Sequence, residues 1–331
     1  MSDKSNIPDL VAGGMAGRTE AKESRSGQVV EMARQKVTVG ITTYNRFGLL
    51  HQAVASVAGQ TCPARVHIFD DGSSTPPPTI QQGRLPVVVE ISPHNIGLLA
   101  ARNRLMRAAA SNGSTYYCSL DDDAWFLDPD ALATAVAMMQ DNPKVAALGF
   151  SICSPDRPAR SSRGPARVID SFIGCGHLLR LEAVLPLGGY SPMPGFYGGE
   201  EKELSLRLLD RGWEVVFLPG VHVWHDKTPV ARDLPRQHRS GVCNDLVLTL
   251  RRFPLPAIAW LLPAKILSHL RFSLLRSLMR PCLQGIGDFI SAVPSILRNR
   301  EPVSSAALRE FRRKDRRVGS AGQPEPFGTQ Y

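Results

Sequence analysis

The sequence predicts an α/β fold, a mostly parallel sheet flanked by helices and followed by a basic, apolar helical extension. Three observations predict it. Short β-branched runs alternate with helical patterns from residue 36 to about 226. Acids and turn residues follow one strand after another, at the carboxyl ends where open α/β sheets bind ligands. From about residue 240 the strand signal stops, and apolar helix interspersed with arginine takes over.

"KVTVGITTYN" is a strand running into a turn, and "RFGLLHQAVASVAGQ" has helical spacing at Leu50, Val54 and Val57. "ARVHIFDDGSS" is a second strand ending in acids, and "LPVVVEIS" is a third. "IGLLAARNRLMRAAAS" is a helix, "STYYCSL" a fourth strand, and "DPDALATAVAMMQ" a helix with Asp128 or Asp130 near its N-terminus. "KVAALGF" is a fifth strand. Residues 150 to 226 are less regular, with "GCGHLLRLEAVLPLGGY", the glycine- and proline-rich "SPMPGFYGG", the helix "EEKELSLRLLDRG" and the strand "WEVVFLP". The expected divisions are a disordered, polar tail over 1–35, a main domain over 36–238 and a helical extension over 239–331.

The chain has 331 residues, 43% of them hydrophobic, enough to bury a sizeable core. Its net charge is +9, yet residues 251–317 alone hold 14 Lys/Arg against 4 Asp/Glu, so the remainder is near neutral. A basic tail on a neutral body suits an anionic surface. The six cysteines (Cys62, Cys118, Cys153, Cys175, Cys243, Cys282) show no short-spaced pair, so no zinc or disulfide framework is implied. A cytoplasmic location, peripheral at the inner face of a membrane, fits both features and the lack of an apolar leader.

The acids after the fourth strand, "LDDDAW", would repel one another unless a cation held them. In an extended segment residues i and i+2 share a side, so Asp121 and Asp123 can face one ligand while Asp122 points elsewhere. Two carboxylates at that spacing suit Mg²⁺ or Mn²⁺ carrying a diphosphate. On the helix "EEKELSLRLLDRG", Glu201 falls on the apolar side with Leu204 and Leu208, whereas Glu203 and Arg207 form an i, i+4 pair expected to be solvated.

"TTYNR", "DDGS", "HNIGLLAARN", "LDDDAW", "GGEEKELSLRLLDRGW" and "VHVWH" stand in the order and approximate spacing of glycosyltransferase family 2, which the chain resembles from about 36 to 226. The resemblance implies a GT-A-type, Rossmann-like sheet and an inverting, metal-dependent transfer from a UDP- or dTDP-sugar to a hydroxyl acceptor, with Mn²⁺ or Mg²⁺ as cofactor. It implies that Asp121 and Asp123 hold the metal, with the register free to shift by one, and that Asp122 lies near the ribose or sugar. Asp71 would accept a base imide and Asp70 would be structural. Thr42 and Tyr44 would line the base pocket, with Arg46, Asn95 and Gly97 also on the donor. Arg102 would reach a phosphate or form a surface salt bridge. Glu201 would be the general base, where the family usually has Asp after Glu. His225 would complete the metal shell, with His222 as alternate. His177 and Trp224 are candidates near the acceptor, and the loop "GGYSPMPGFYGG" is expected to order over bound substrate.

In the tail, "FPLPAIAWLLPA" offers twelve residues before Lys265, short of a bilayer span. Lys265, His269, Ser273, Arg276 and Arg280 share one arc of the next helix, which is expected to rest on anionic lipid and to suit a lipid-linked acceptor. Two other functions are weighed. A nucleotidyltransferase would begin with a glycine-rich loop, which "ITTYNRFG" is not. A nucleic-acid binder would interleave aromatics with its basic residues, but only Phe311 lies in 297–317.

Overall fold

The computed structural model describes residues 36–80, 83–155, 164–226 and 233–318, so the tail expected over 1–35 lies outside the described residues. Nine strands are described: β1 Lys36–Thr43, β2 Ala64–Asp70, β3 Val87–Ile91, β4 Ser114–Asp121, β5 Ala124–Phe126, β6 Val145–Cys153, β7 Arg167–Val168, β8 Gly176–Arg180 and β9 Glu214–His225. The helices are α1 Leu50–Ala58, α2 Leu98–Ser111, α3 Ala131–Asp141, α4 Glu200–Asp210, α5 Leu234–Arg252, α6 Leu255–Leu275, α7 Met279–Arg298 and α8 Ser305–Val318.

One sheet runs in the order β3-β2-β1-β4-β8-β6-β9-β5, with β7 against β9. Pairing is parallel through β3, β2, β1 and β4 and again between β6 and β9. β8 enters antiparallel between β4 and β6. The sequence left β8 inside an irregular region, because a strand buried on both faces shows no alternation. β9 also carries "VHVWH", which joins "WEVVFLP" in one strand.

Both faces of the sheet are covered. Leu50, Val54 and Val57 of α1 and Leu132, Val136 and Met139 of α3 fill one core cluster. Ala101, Leu105 and Met106 of α2 pack with Leu204 and Leu208 of α4 in the other. The helical spacing predicted these contacts.

Glu203 and Arg207 correct an expectation. They do form an i, i+4 pair, but Glu203 has no solvent exposure. Arg207 Nη2 donates to Glu203 at 2.6 Å, Arg252 Nε from α5 at 2.7 Å, and Ser191 Oγ at 2.8 Å. Arg252 continues to Glu301 at 2.8 Å. The C-terminal helices cover this side of α4, packing Leu248, Phe253, Val303 and Leu308 around Leu206, and so exclude water from the pair. The division expected at 238/239 falls inside α5, a continuous helix bonded to both sides.

The polar arc of α6 is also not where it was expected. Lys265 and His269 pair with Asp245 of α5, the latter at 3.0 Å, and fully buried Ser273 meets His238 Nε2 at 2.7 Å. Burial would raise the Asp245 carboxyl, but Lys265 and His269 hold it well below the usual carboxylate range. That half-buried acid draws Lys265 and His269 inward, while Arg276 and Arg280 remain exposed. The helix is also longer than the twelve-residue run: Leu255–Leu275 is, by length and composition alone, sufficient to cross a membrane.

Removing the Glu203 carboxylate would leave Arg207 and Arg252 buried without their shared anion. Glu203→Ala is expected to lose about 3–5 kcal/mol of unfolding free energy in urea titration. A loss below about 1 kcal/mol is the result a solvated pair would give.

Candidate functional site

Strand register brings the acids together. Thr43 at the end of β1 pairs with Asp70 of β2, and Thr42 pairs with Asp121 of β4. β5 and β9 pair antiparallel, which sets Ala124 opposite His225. β4 and β8 pair Leu120 with Gly176, so the next positions along, Asp121 and Cys175, face each other.

Two arginines divide the acid triplet. Arg102 Nη2 donates to Asp121 Oδ1 at 2.9 Å. Arg46 pairs with Asp122, and its Nη1 lies 3.2 Å from Asp123 Oδ2. Thr43 Oγ1 donates to Asp122 at 2.8 Å. Burial would raise the Asp121 carboxyl, but Arg102 and then His225 hold it below the usual range. Burial pushes Asp122 up to about 6, against Arg46 and Thr43. At 2% exposure Asp122 is a structural tie between the β1 end and the triplet. Thr43 Oγ1 and Arg46 Nε both donate to Asp122 Oδ2.

Asp121 and Asp123 approach a common partner, although the chain turns at Asp122 and Asp123 and is not extended there. His225 Nε2 lies 3.2 Å from Asp123 Oδ1 and 4.0 Å from Asp121 Oδ2. Asp123 Oδ1 is buried and accepts no hydrogen bond. Donor atoms of Asp121, Cys175 and His225 all lie within 4.8 Å of one another. Two carboxylates and an imidazole suit a hard divalent cation, and the thiol adds a softer donor. The residues therefore fit a metal ion. Sequence spacing missed Cys175, because its relation to Asp121 comes from β8, the strand that was not recognised. His222 points away from this group: Asp128 Oδ2 accepts from its backbone N–H and meets its Nδ1, both at 2.9 Å.

Arg102 lies between the two acid clusters. It is 2% exposed, so the expected surface salt bridge is corrected. Its Nη1 lies 3.9 Å from Glu201 Oε1 and 4.0 Å from Glu200 Oε1, and Nη2 also donates to Gly174 O at 3.2 Å. Its Nη1 and Nε have no hydrogen-bond acceptor. Glu201 keeps a narrow opening, with 15% of its side chain exposed. Burial and then the Glu200 charge push its carboxyl well above the usual glutamate range, with Arg102 opposing. Gly174 makes room for this pair.

Asp71 is committed within the fold. Its two oxygens accept from the backbone N–H groups of Ile96, at 2.6 Å, and Gly97, at 2.9 Å. These bonds hold the turn into α2, where Gly97 has φ +88°. Asp70 takes Ser73 through one oxygen, and its other is buried and unpaired. Thr42 is half-buried, while Tyr44 and Asn95 are exposed. His177 is fully buried, bonded to Tyr190 Oη at 2.8 Å and pushed by burial to about 3, which removes it from the acceptor. Trp224 packs against Trp125 with centroids 6.2 Å apart. The glycine-rich loop is held by Asn244 of α5, which accepts from Gly195 N–H and donates to the carbonyls of Gly195, Tyr197 and Gly198.

A Rossmann-like sheet with acids, a histidine and a second acid pair at its carboxyl edge is a GT-A-like fold. The family model described as Glycosyl transferase family 2 matches residues 38–182. Solved structures share the fold. GalNAc-T7, determined with UDP, GalNAc and Mn²⁺, is 18% identical with TM-score 0.54, over 67% of this chain and 48% of that one, so the chain spans about half its length. A mannosyltransferase from Pyrobaculum calidifontis, with GDP-Man and Mn²⁺, is 15% identical with TM-score 0.53, over 90% and 88%. TarS residues 1–349 from S. aureus, with UDP-GlcNAc, is 16% identical with TM-score 0.53, over 88% and 93%. No curated protein matches the chain.

A Cβ at Gly174 would collide with Glu201 Oε1 and lie 3.1 Å from Arg102 Nη1. In a Gly174→Ala variant the two must shift, and a displacement of about 1 Å can cost about 100-fold in rate. We expect kcat to fall by roughly that factor with nucleotide binding retained. Unchanged kcat would show that this spacing does not matter.

Proposed function

We propose that the protein is an inverting, metal-dependent glycosyltransferase. It moves a hexosyl or deoxyhexosyl group from a UDP- or dTDP-sugar to a hydroxyl on a glycan, a lipid-linked intermediate or a small metabolite. The observation that carries this is the gathering of Asp121 and Asp123 about His225, with Glu201 on the other side of Arg102. The family-model match over residues 38–182 and the sugar-nucleotide complexes of the similar structures support the donor class. All six cysteines are free, which supports a reducing, cytoplasmic setting.

Asp121, Asp123 and His225 would hold Mn²⁺ or Mg²⁺, with Cys175 beside them. A cation there supplies neutralisation of the charge that grows on the leaving diphosphate. The acceptor oxygen bonds to the anomeric carbon as the bond to the diphosphate breaks, so the configuration inverts. The nucleoside diphosphate leaves with the bonding pair, and the Glu201 carboxylate takes the acceptor's hydroxyl proton. Exposed Tyr44 and half-buried Thr42 stand at the end of β1 where the base would stack. Asp71, held by the backbone N–H groups of Ile96 and Gly97, would accept the base imide.

Thermal denaturation with UDP, dTDP or GDP, each with and without Mn²⁺, tests the donor site. We expect stabilisation by UDP or dTDP only with metal, amounting to about 2.7 kcal/mol at 100 times Kd. Glu201→Gln should keep this shift and lose transfer by about 10²–10⁴-fold. No shift with any nucleotide would overturn the donor site, and unchanged turnover would remove Glu201 from its role.

The base works only when ionised, and the fold holds its proton tightly. The acid limb of kcat/KM should therefore lie well above the ordinary glutamate value of about 4.3, with activity rising as pH increases through it. A limb at the ordinary value would mean that another group accepts the proton.

A further inference from the structure

The inward turn of the α6 polar arc leaves an apolar face pointing outward. Trp260, Leu267 and Leu274 recur every seventh residue along α6, and Leu283, Ile290 and Leu297 do so along α7. Seven residues make nearly two full turns, so each set forms a row along its helix. All six are more than half exposed, from 53% at Trp260 to 71% at Leu274. The opposite sides of both helices pack in one cluster with α5, through Leu262, Ile266 and Leu270 of α6 and Ile286 and Phe289 of α7. The core of the protein is thus satisfied without these rows. Exposed apolar side chains in such number mark an interaction surface.

The charges around the rows identify the occupant. α6 contains no acidic residue. The one acid of α7, Asp288, is held by Arg239 at 2.6 and 2.7 Å. Exposed Arg271, Arg276, Arg280 and Arg298 are the cations nearest the rows in sequence. A second copy docked face to face would set these arginines against their own counterparts. Pro263 and Pro294, both exposed within their helices, also interrupt a regular helix-to-helix seam. Anionic lipid headgroups complement the arginines, and acyl chains take leucine, isoleucine and tryptophan.

We propose that the outward faces of α6 and α7 seat the protein on an anionic bilayer surface, lying in the plane and not crossing it. Lys265 and His269 hold α6 to Asp245 of α5 and so keep it against the protein. The adjacent residue on α5, Asn244, holds the loop 195–198 that leads into Glu200 and Glu201. Neighbouring residues of one helix thus tie the lipid-facing surface to the loop ahead of the proposed base. This inference rests on the glycosyltransferase reading for one further consequence: the acceptor is a hydroxyl carried on a lipid.

The test is co-sedimentation of the full chain with vesicles of phosphatidylcholine alone or mixed with phosphatidylglycerol, without nucleotide. We expect binding to the mixed vesicles, release by alkaline carbonate, and at least tenfold weaker binding in L267D/L274D. R271E/R276E should weaken binding to mixed vesicles at least threefold while its thermal melt and UDP–Mn²⁺ shift stay as in the parent chain. Four results would overturn the proposal: no binding to either vesicle, binding unaffected by both variants, resistance to carbonate, or a dimer that L267D/L274D dissolves without vesicle binding. Vesicle binding is read without donor or turnover. Its failure with an intact nucleotide shift removes only the membrane surface, whereas a missing shift with intact vesicle binding removes the donor site.

Discussion

A single buried guanidinium, that of Arg102, makes the rest of the site possible. It reaches Asp121 on one side and Glu200 and Glu201 on the other, with almost no exposure to water. Taking carboxylates out of water is costly unless cations accompany them, and arginine keeps its charge under such burial. With Arg46 at the triplet, two guanidinium groups face five carboxyl groups. Burial, and then the Glu200 charge, make Glu201 hold its proton more tightly than an ordinary glutamate does. Asp121 and Asp123 crowd a histidine at distances suited to a further cation. Proton acceptor and cation site are thereby two sides of one electrostatic arrangement.

The sheet supplies the geometry. Parallel β1, β2 and β4 end together, which puts Thr42, Asp70 and Asp121 on one edge. The antiparallel insertion of β8 brings Gly174 and Cys175 against that edge, one making room for Glu201 and the other standing beside the cation site. β5 and β9 close the far side with His225. The C-terminal helices do more than extend the chain. Through Arg252 they share the buried charge of Glu203, three residues beyond Glu200, and through Asn244 they hold the loop that precedes it.

Much of this was legible in the sequence because it follows from local pattern. Period-two and period-3.6 hydrophobicity located the main strands and helices, whereas Asp123 owes its place to a turn after β4 and not to strand alternation. What stayed hidden depends on pairing between distant segments. Cys175 gained its place only from the antiparallel register with β4. Glu203 and Arg207 looked solvated because nothing nearby in the chain announces Arg252 or the helices that bury them. The α6 arc looked like a lipid-facing surface, but half-buried Asp245, twenty residues upstream of Lys265, draws it inward. The bonds from the backbone N–H groups of Ile96 and Gly97 to Asp71 were likewise hidden, because they join the end of β2 to the start of α2.

The most direct measurement of the central claim is anomalous diffraction at the manganese edge, from crystals grown with Mn²⁺ and a sugar nucleotide. The charge deficit around Arg102 requires a peak coordinated by Asp121 or Asp123 together with His225, with the diphosphate on its open side and the Glu201 carboxylate facing the anomeric carbon. A manganese peak elsewhere, or a nucleotide bound with those three side chains turned away from it, would contradict the account.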